Sequence, residues 1–421
     1  MILLQLSFKS LWNRKLTSFL TILSIAMSVA LLLSVERAER AAHDGFTQAI
    51  SQTDLIVGAR SSPVQLVLYS LFNMGNATNN ISIESFEHFK NHAAVDWVIP
   101  FSMGDGHKGF RVVGTTDEFF KHYHFRGDDS VSFSMGSGFT NMWSAVVGSE
   151  VALKLNYKLG DKIVLAHGVT KEEGVQHHDD KPFTIVGILN STGTTIDRSV
   201  YVTLKGIEGI HVDWHDGAQP TKDHMIPADH IHEEEIKVDE VTGFFLRTRS
   251  RIETLKLQRE INDYAKEPML AVIPGVALNE IWQGLSYLET TLRVISWMVI
   301  LVGIVSQLIA LLTSIEGRRR EMSILRAMGA QLNQILSLVV IESIVLTSVG
   351  ILSGVLLSLG CFKILSPWLE STVGFYLTGD VFSPQSFFYL GLTMCLGLVA
   401  GVFPAYRMMR MALKDGLSVR S

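Results

Sequence analysis

Four stretches of the chain carry almost no charge. Residues 16–35, 294–315 and 386–406 have no Asp, Glu, Lys or Arg, and residues 335–362 have one, Glu342. At about 1.5 Å rise per residue, each is long enough as a helix to cross a hydrocarbon layer of roughly 30 Å. The pattern therefore predicts four membrane spans. Apolar positions at helical spacing also continue beyond two of them. Val35, Ala38, Ala42, Phe46, Ala49 and Ile50 follow the first run, and Leu278, Ile281, Trp282, Leu285, Leu288 and Leu292 precede the second. This spacing predicts two helices that leave the membrane and pack together as a stalk.

Between the stalk helices the period shortens to that of strands. Strands are predicted at 54–59, 97–100, 110–114, 143–147, 162–166, 183–189, 200–204 and 244–248, and helices at 84–92, 149–155 and 252–264. Residues 64–72 are apolar at helical spacing and read as a core helix or as a lipid-binding face. The predicted fold class is a membrane protein with four transmembrane helices and a large α/β extracytoplasmic domain, inserted between spans one and two on a two-helix stalk.

Basic residues orient the spans. Lys9, Arg14 and Lys15 flank the first. Arg318, Arg319, Arg320 and Arg326 lie between the second and third, and Arg407, Arg410, Lys414 and Arg420 follow the fourth. Residues 366–385 contain no Lys or Arg. Both termini of this multi-pass chain are thus expected in the cytoplasm. Residues 2–15 place Leu3, Leu4, Phe8, Leu11 and Trp12 near one helical face, which suits an interfacial helix. Glu36 and Arg37 follow the first run without a small-residue cleavage site, so it reads as a retained anchor. The two cysteines, Cys361 and Cys395, fall in spans three and four and read as buried packing residues.

The segment 316–330, EGRRREMSILRAMGA, sits between two spans. Glu321, Ile324, Leu325 and Met328 share a helical face, and Gly317 and Gly329 bracket it. Taken alone it reads as a basic interfacial turn. The string resembles the coupling segment of FtsX/MacB-like ABC permeases, E-R-x-x-E-I-x-x-L-R-A-x-G-A, with Met322-Ser323 replacing Ile-Gly. VVGSEVALKLNYKLGDKIVL followed by FTIVGIL resembles their extracytoplasmic domain. Pro404, Ala405 and Arg407 resemble their C-terminal pattern, whose second proline is missing here. The resemblance implies a permease that transmits the ATP-driven motion of an ATPase to a periplasmic domain, to extract or export an envelope substrate. It also implies a second permease copy in a homodimer, with membrane lipid and a periplasmic binding protein as further partners. Glu316, Arg319, Arg320, Glu321, Ile324, Leu325, Arg326 and Gly329 would be the ATPase-coupling residues.

No G-x-x-x-x-G-K-[ST] occurs, so ATP is expected on a partner ATPase chain, with no catalytic residue and no enzyme activity here. Eight histidines fall within 167–232, interleaved with Asp and Glu. Imidazole with carboxylate suits zinc, and His177, His178, His230 and His232 are the candidate ligands. A solvated acidic loop, a metal-collecting loop and a structural zinc site all fit that pattern. A membrane-anchored metal-binding receptor or regulator without transport is the alternative function. Glu342 reads as snorkelling or as pairing with an arginine of 318–326. The expected layout is a cytoplasmic amphipathic helix at 1–15 and span one with its stalk at 16–50. A periplasmic domain follows at 51–275, with a His/Asp-rich loop at 167–235. Stalk and span two occupy 276–315, a coupling helix 316–334 and span three 335–365. An outer loop at 366–385, span four at 386–406 and a cytoplasmic tail at 407–421 complete it.

Overall fold

The computed structural model describes residues 2–47, 49–167, 180–213, 226–373 and 382–415, with backbone only for 2–6, 8, 42, 44–47, 167, 229, 285, 314–327, 332, 366–373 and 408–415. The chain divides into two units. One is built from the helices at both ends of the chain, and the other from His43–Gly284.

In the helical unit, four helices are long and apolar enough to cross a membrane, over Lys15–Ala41, Ser286–Thr313, Asn333–Leu365 and Pro384–Arg407. Ile2–Asn13 forms a separate short helix, with Trp12 exposed. Span one belongs to a helix running from Lys15 to Thr47 and span two to one from Pro274 to Ala327. Both extend past their apolar runs, as the stalk pattern predicted. The spans meet closely because they use glycine. A Cβ on Gly350 or Gly354 would fall 2.7 Å from Ile25 or from the Ala26 carbonyl on span one. On span four, a Cβ on Gly397 or Gly401 would strike Thr347 or Ser343 of span three. Two G-x-x-x-G spacings thus let helix backbones approach. Cys361 and Cys395 are free and exposed rather than buried.

The second unit is centred on a mixed sheet. Its strand order is Met269–Val272, Leu55–Ala59, Gly243–Thr248, Val95–His107, Phe110–Thr115, Ser199–Thr203, Ser144–Val147, Phe183–Leu189 and Phe133–Gly136. Two neighbouring pairs are parallel, Phe110–Thr115 with Ser199–Thr203 and Ser144–Val147 with Phe183–Leu189. The long strand Val95–His107 is shared. Its first half pairs with Gly243–Thr248 and its second with Phe110–Thr115, the latter pairing carrying a register shift between Met103 and Gly106. This one strand serves two cores, with Val95 and Val98 in one and Ile99 and Phe101 in the other. Helices Ile83–Lys90 and Arg251–Asn262 cover one apolar cluster and helix Pro63–Phe72 another. Helices Ser149–Leu155 and Leu204–His211 supply residues to the distal cluster around Val147 and Phe183. The 64–72 pattern is therefore a core helix, burying Leu66, Val67, Tyr69 and Leu71.

The His/Asp-rich stretch 167–235 is not one loop. It contains the Phe183–Leu189 and Ser199–Thr203 strands and the Leu204–His211 helix, whose alternating or helical apolar positions bury into the sheet.

Candidate functional site

The residues expected to couple to an ATPase lie at the end of the span-two helix. Glu316, Arg319, Arg320, Glu321, Ile324, Leu325 and Arg326 occupy its last turns, and the helix ends at Ala327. No separate coupling helix forms over 316–334. One interior glycine costs a helix only about 1 kcal/mol, so Gly317 does not interrupt it. Gly329 does close it, at φ +93°, the left-handed conformation that ends helices. The span-three helix begins at Leu332, where Gln334 Oε1 accepts from the Gln331 N–H.

Just inside this end, Leu312 of span two, Ile335, Leu338 and Val339 of span three and Ala405 of span four form an apolar cluster. Pro404 does not stop span four, whose helix runs from Pro384 to Asp415. Deeper in the bundle sits a polar junction. Gln307 is fully buried and donates to Ser343 Oγ (2.8 Å) and Thr347 Oγ1 (3.0 Å). Ser343 Oγ in turn donates to the Gly397 carbonyl (2.7 Å). Ser28 Oγ donates to the Val299 carbonyl at 3.0 Å, linking spans one and two. Glu342 is buried (2 % exposed) instead of reaching the surface.

At the other end, Glu36 is the buried charge. It accepts from Ser383 Oγ (2.5 Å) and Ser386 Oγ (2.6 Å) and pairs with Arg40 Nε (3.0 Å). The two serines also cap span four reciprocally, each hydroxyl accepting the other's N–H. Arg293 of span two reaches Glu39 of span one and its own neighbour Glu289. None of these contacts is announced by a local motif. Only Gln307, a polar residue inside an apolar run, was open to notice.

Two features mark how the helices join the sheet. The Pro274–Ala327 helix follows the Met269–Val272 strand after one residue, and its first turns bury Ala277 and Leu278 in the core of the α/β unit. The strand that follows the Lys15–Thr47 helix, Leu55–Ala59, is hydrogen-bonded antiparallel to Met269–Val272. Both long helices thus lead into adjacent strands at one sheet edge.

Of the candidate metal ligands, His177 and His178 lie outside the described residues. His230 and His232 are exposed. Among the described residues, no group of three or more His, Cys, Asp or Glu is arranged to hold a metal ion. The charged feature here is an ion pair. Lys181 Nζ lies 2.7 and 2.8 Å from the two Asp213 oxygens and 2.7 Å from Asp180. Burial alone would raise the Asp213 carboxyl, but hydrogen bonds from Lys181 and the Ile226 N–H hold it below its ordinary value.

Comparison with known proteins agrees with this layout. The model of the FtsX-like permease C-terminal family matches residues 293–413, and that of the MacB-like periplasmic core domain matches residues 18–263. The chain belongs to the FtsX/MacB-like ABC transporter permeases: it is a multi-pass bacterial membrane protein and the transmembrane component of a transporter, not itself an enzyme. Among solved structures, the periplasmic region of MacB from Actinobacillus actinomycetemcomitans aligns at 9 % identity and a TM-score of 0.34, covering 55 % of this chain and 94 % of that one. The extracellular domain of the noncanonic ABC-type transporter YknZ from Gram-positive bacteria aligns at 13 % and 0.31, covering 52 % and 98 %. A search among curated proteins returned no match.

Proposed function

We propose that this permease carries ATP-driven motion from a separate ATPase subunit to its α/β domain, and that this motion extracts or exports an envelope substrate. In this reading it works in the inner membrane as a homodimer, with both termini and the 316–334 connection in the cytoplasm and the α/β domain in the periplasm. The observation that carries the reading is the unbroken helix from Pro274 to Ala327. At about 1.5 Å per residue it is about 80 Å long. One end bears the residues that match the family's coupling motif, and the other enters an edge strand of the sheet. In this reading a push at Glu316–Gly329 travels along the helix toward the strand, as packed helices can shift as units. Exposed apolar residues such as Leu20, Met27, Met298 and Leu301 suit lipid and a second copy.

Leu325→Asp tests the reading. A carboxylate set into an apolar groove of the ATPase costs several kcal/mol, so co-purification with the ATPase and permease-stimulated ATP turnover should both fall at least tenfold while membrane insertion persists. Wild-type values for both would remove the coupling role from this segment.

A further inference from the structure

The α/β unit contains a cleft that the coupling mechanism does not use. Its volume is about 450 Å³, within the usual range for small-molecule sites, and Gln52, Trp97, Glu118, His122, His124 and Arg247 are among its lining residues. Trp97 and Arg247 are cross-strand partners on Val95–His107 and Gly243–Thr248, so they stand side by side on one sheet face. The His122 ring stacks on Trp97 at 5.5 Å and 16°.

The charges in the cleft are unevenly satisfied. Glu118 is held by Lys121 and His122, and Lys90 by Glu87. Arg247 is partly buried, yet it has no carboxylate partner among the described residues. Its Nη1 donates to the Gln52 side-chain oxygen at 2.5 Å. Gln52 in turn donates to Asp128. Gln52 has φ +56°, a conformation that residues other than glycine seldom take. Strain of this kind persists where surrounding contacts enforce it, and it clusters at ligand sites. Here it aims a guanidinium into a cleft beside an aromatic surface.

We propose that this cleft binds a small ligand carrying an oxyanion, a carboxylate or phosphate monoester, on an apolar or aromatic body. Arg247 pairs with the anion, since a guanidinium offers parallel donors that match either group. Trp97, only partly buried, receives the apolar part. Gln52 is a positioning residue that orients Arg247. It lies in the chain just before the Leu55–Ala59 strand.

The full-length protein in detergent, titrated calorimetrically with three probes, tests this. N-acetyl-L-phenylalanine supplies a carboxylate, phenyl phosphate a phosphate monoester, and N-acetyl-L-phenylalaninamide the same body without charge. At least one anion should bind, and the amide at least tenfold more weakly. A tighter carboxylate points to peptide-like ligands, and a tighter phosphate to phosphorylated ones. Arg247→Gln should lose at least tenfold for the preferred anion, while Arg259→Gln, an exposed arginine elsewhere on the domain, stays within twofold. Gln52→Gly relieves the backbone, keeps the fold and should still weaken binding severalfold, so it decides the matter if Arg247→Gln does not fold. Absence of heat with both anions overturns the proposal. So does equal binding of the amide, or unchanged affinity in both Arg247→Gln and Gln52→Gly.

Discussion

Lys181 illustrates how single charges organise the α/β domain. It is completely buried, and an unpaired ammonium there would cost several kcal/mol. Asp213 and Asp180 surround it, so residues distant in the chain are clamped at one point. Glu208 behaves in the opposite way. Burial, together with the nearby Glu240 and Asp239, pushes its carboxyl up to about 7. The folded state therefore holds this proton more tightly than the unfolded chain, whose glutamate titrates near ~4.3. The sign follows: stability from this group is full below the unfolded value and is lost as pH rises through about 7. Glu208→Gln, which mimics the protonated form, should raise the thermal midpoint at pH 8 and leave it nearly unchanged at pH 4. Equal shifts at the two pH values would show that Glu208 does not titrate in this way.

Among the elements, the Pro274–Ala327 helix carries the mechanical argument. Tyr287, in the first third of this helix, is exposed, so replacing that side chain removes little packing. A proline there deletes a helix hydrogen bond and forces a kink at about 3 kcal/mol. Tyr287→Pro should therefore keep ATPase binding at Glu316–Gly329 but abolish nucleotide-dependent changes in hydrogen exchange at Met269–Val272. Tyr287→Ala should retain them. If the proline variant responds like wild type, the rigid-strut reading fails. The spans themselves are tied by small residues and polar contacts rather than by bulk. Gly350 and Gly354 admit span one, and Ser343 and Thr347 fill the space that Gly397 and Gly401 leave. In a membrane, where apolar burial between helices gains little over lipid, close backbone approach and hydrogen bonds supply the attraction.

At the scale of the whole molecule, orientation is the property to check. In a background with both native cysteines replaced by serine, a cysteine at the exposed Leu153 should react with an impermeant maleimide added to spheroplasts. One at Gln331 should react only in inverted vesicles. Labelling of Gln331 from outside would reverse the orientation on which the ATPase contact depends. The proposed ligand cleft at Trp97 and Arg247 lies wholly within the α/β unit.

The spans and the α/β character of the insertion were legible in the chain itself, because each depends on near neighbours. An uncharged run long enough for a bilayer, or apolar residues three and four apart, is a local pattern that desolvation alone enforces. The 316–327 segment was legible as a motif but not as an extension of span two, since Gly317 is compatible with either a break or a continuous helix. Contacts between distant residues were not legible at all. Glu36 with Ser383, Gln307 with Ser343, Lys181 with Asp213 and Trp97 with Arg247 have no common local signature, and each polar group settles where burial leaves a partner within reach. Hydrophobic periodicity thus determined what each segment is, and the tertiary structure alone decided which segments meet, because the cost of burying a charge or a donor is set by what lies opposite it.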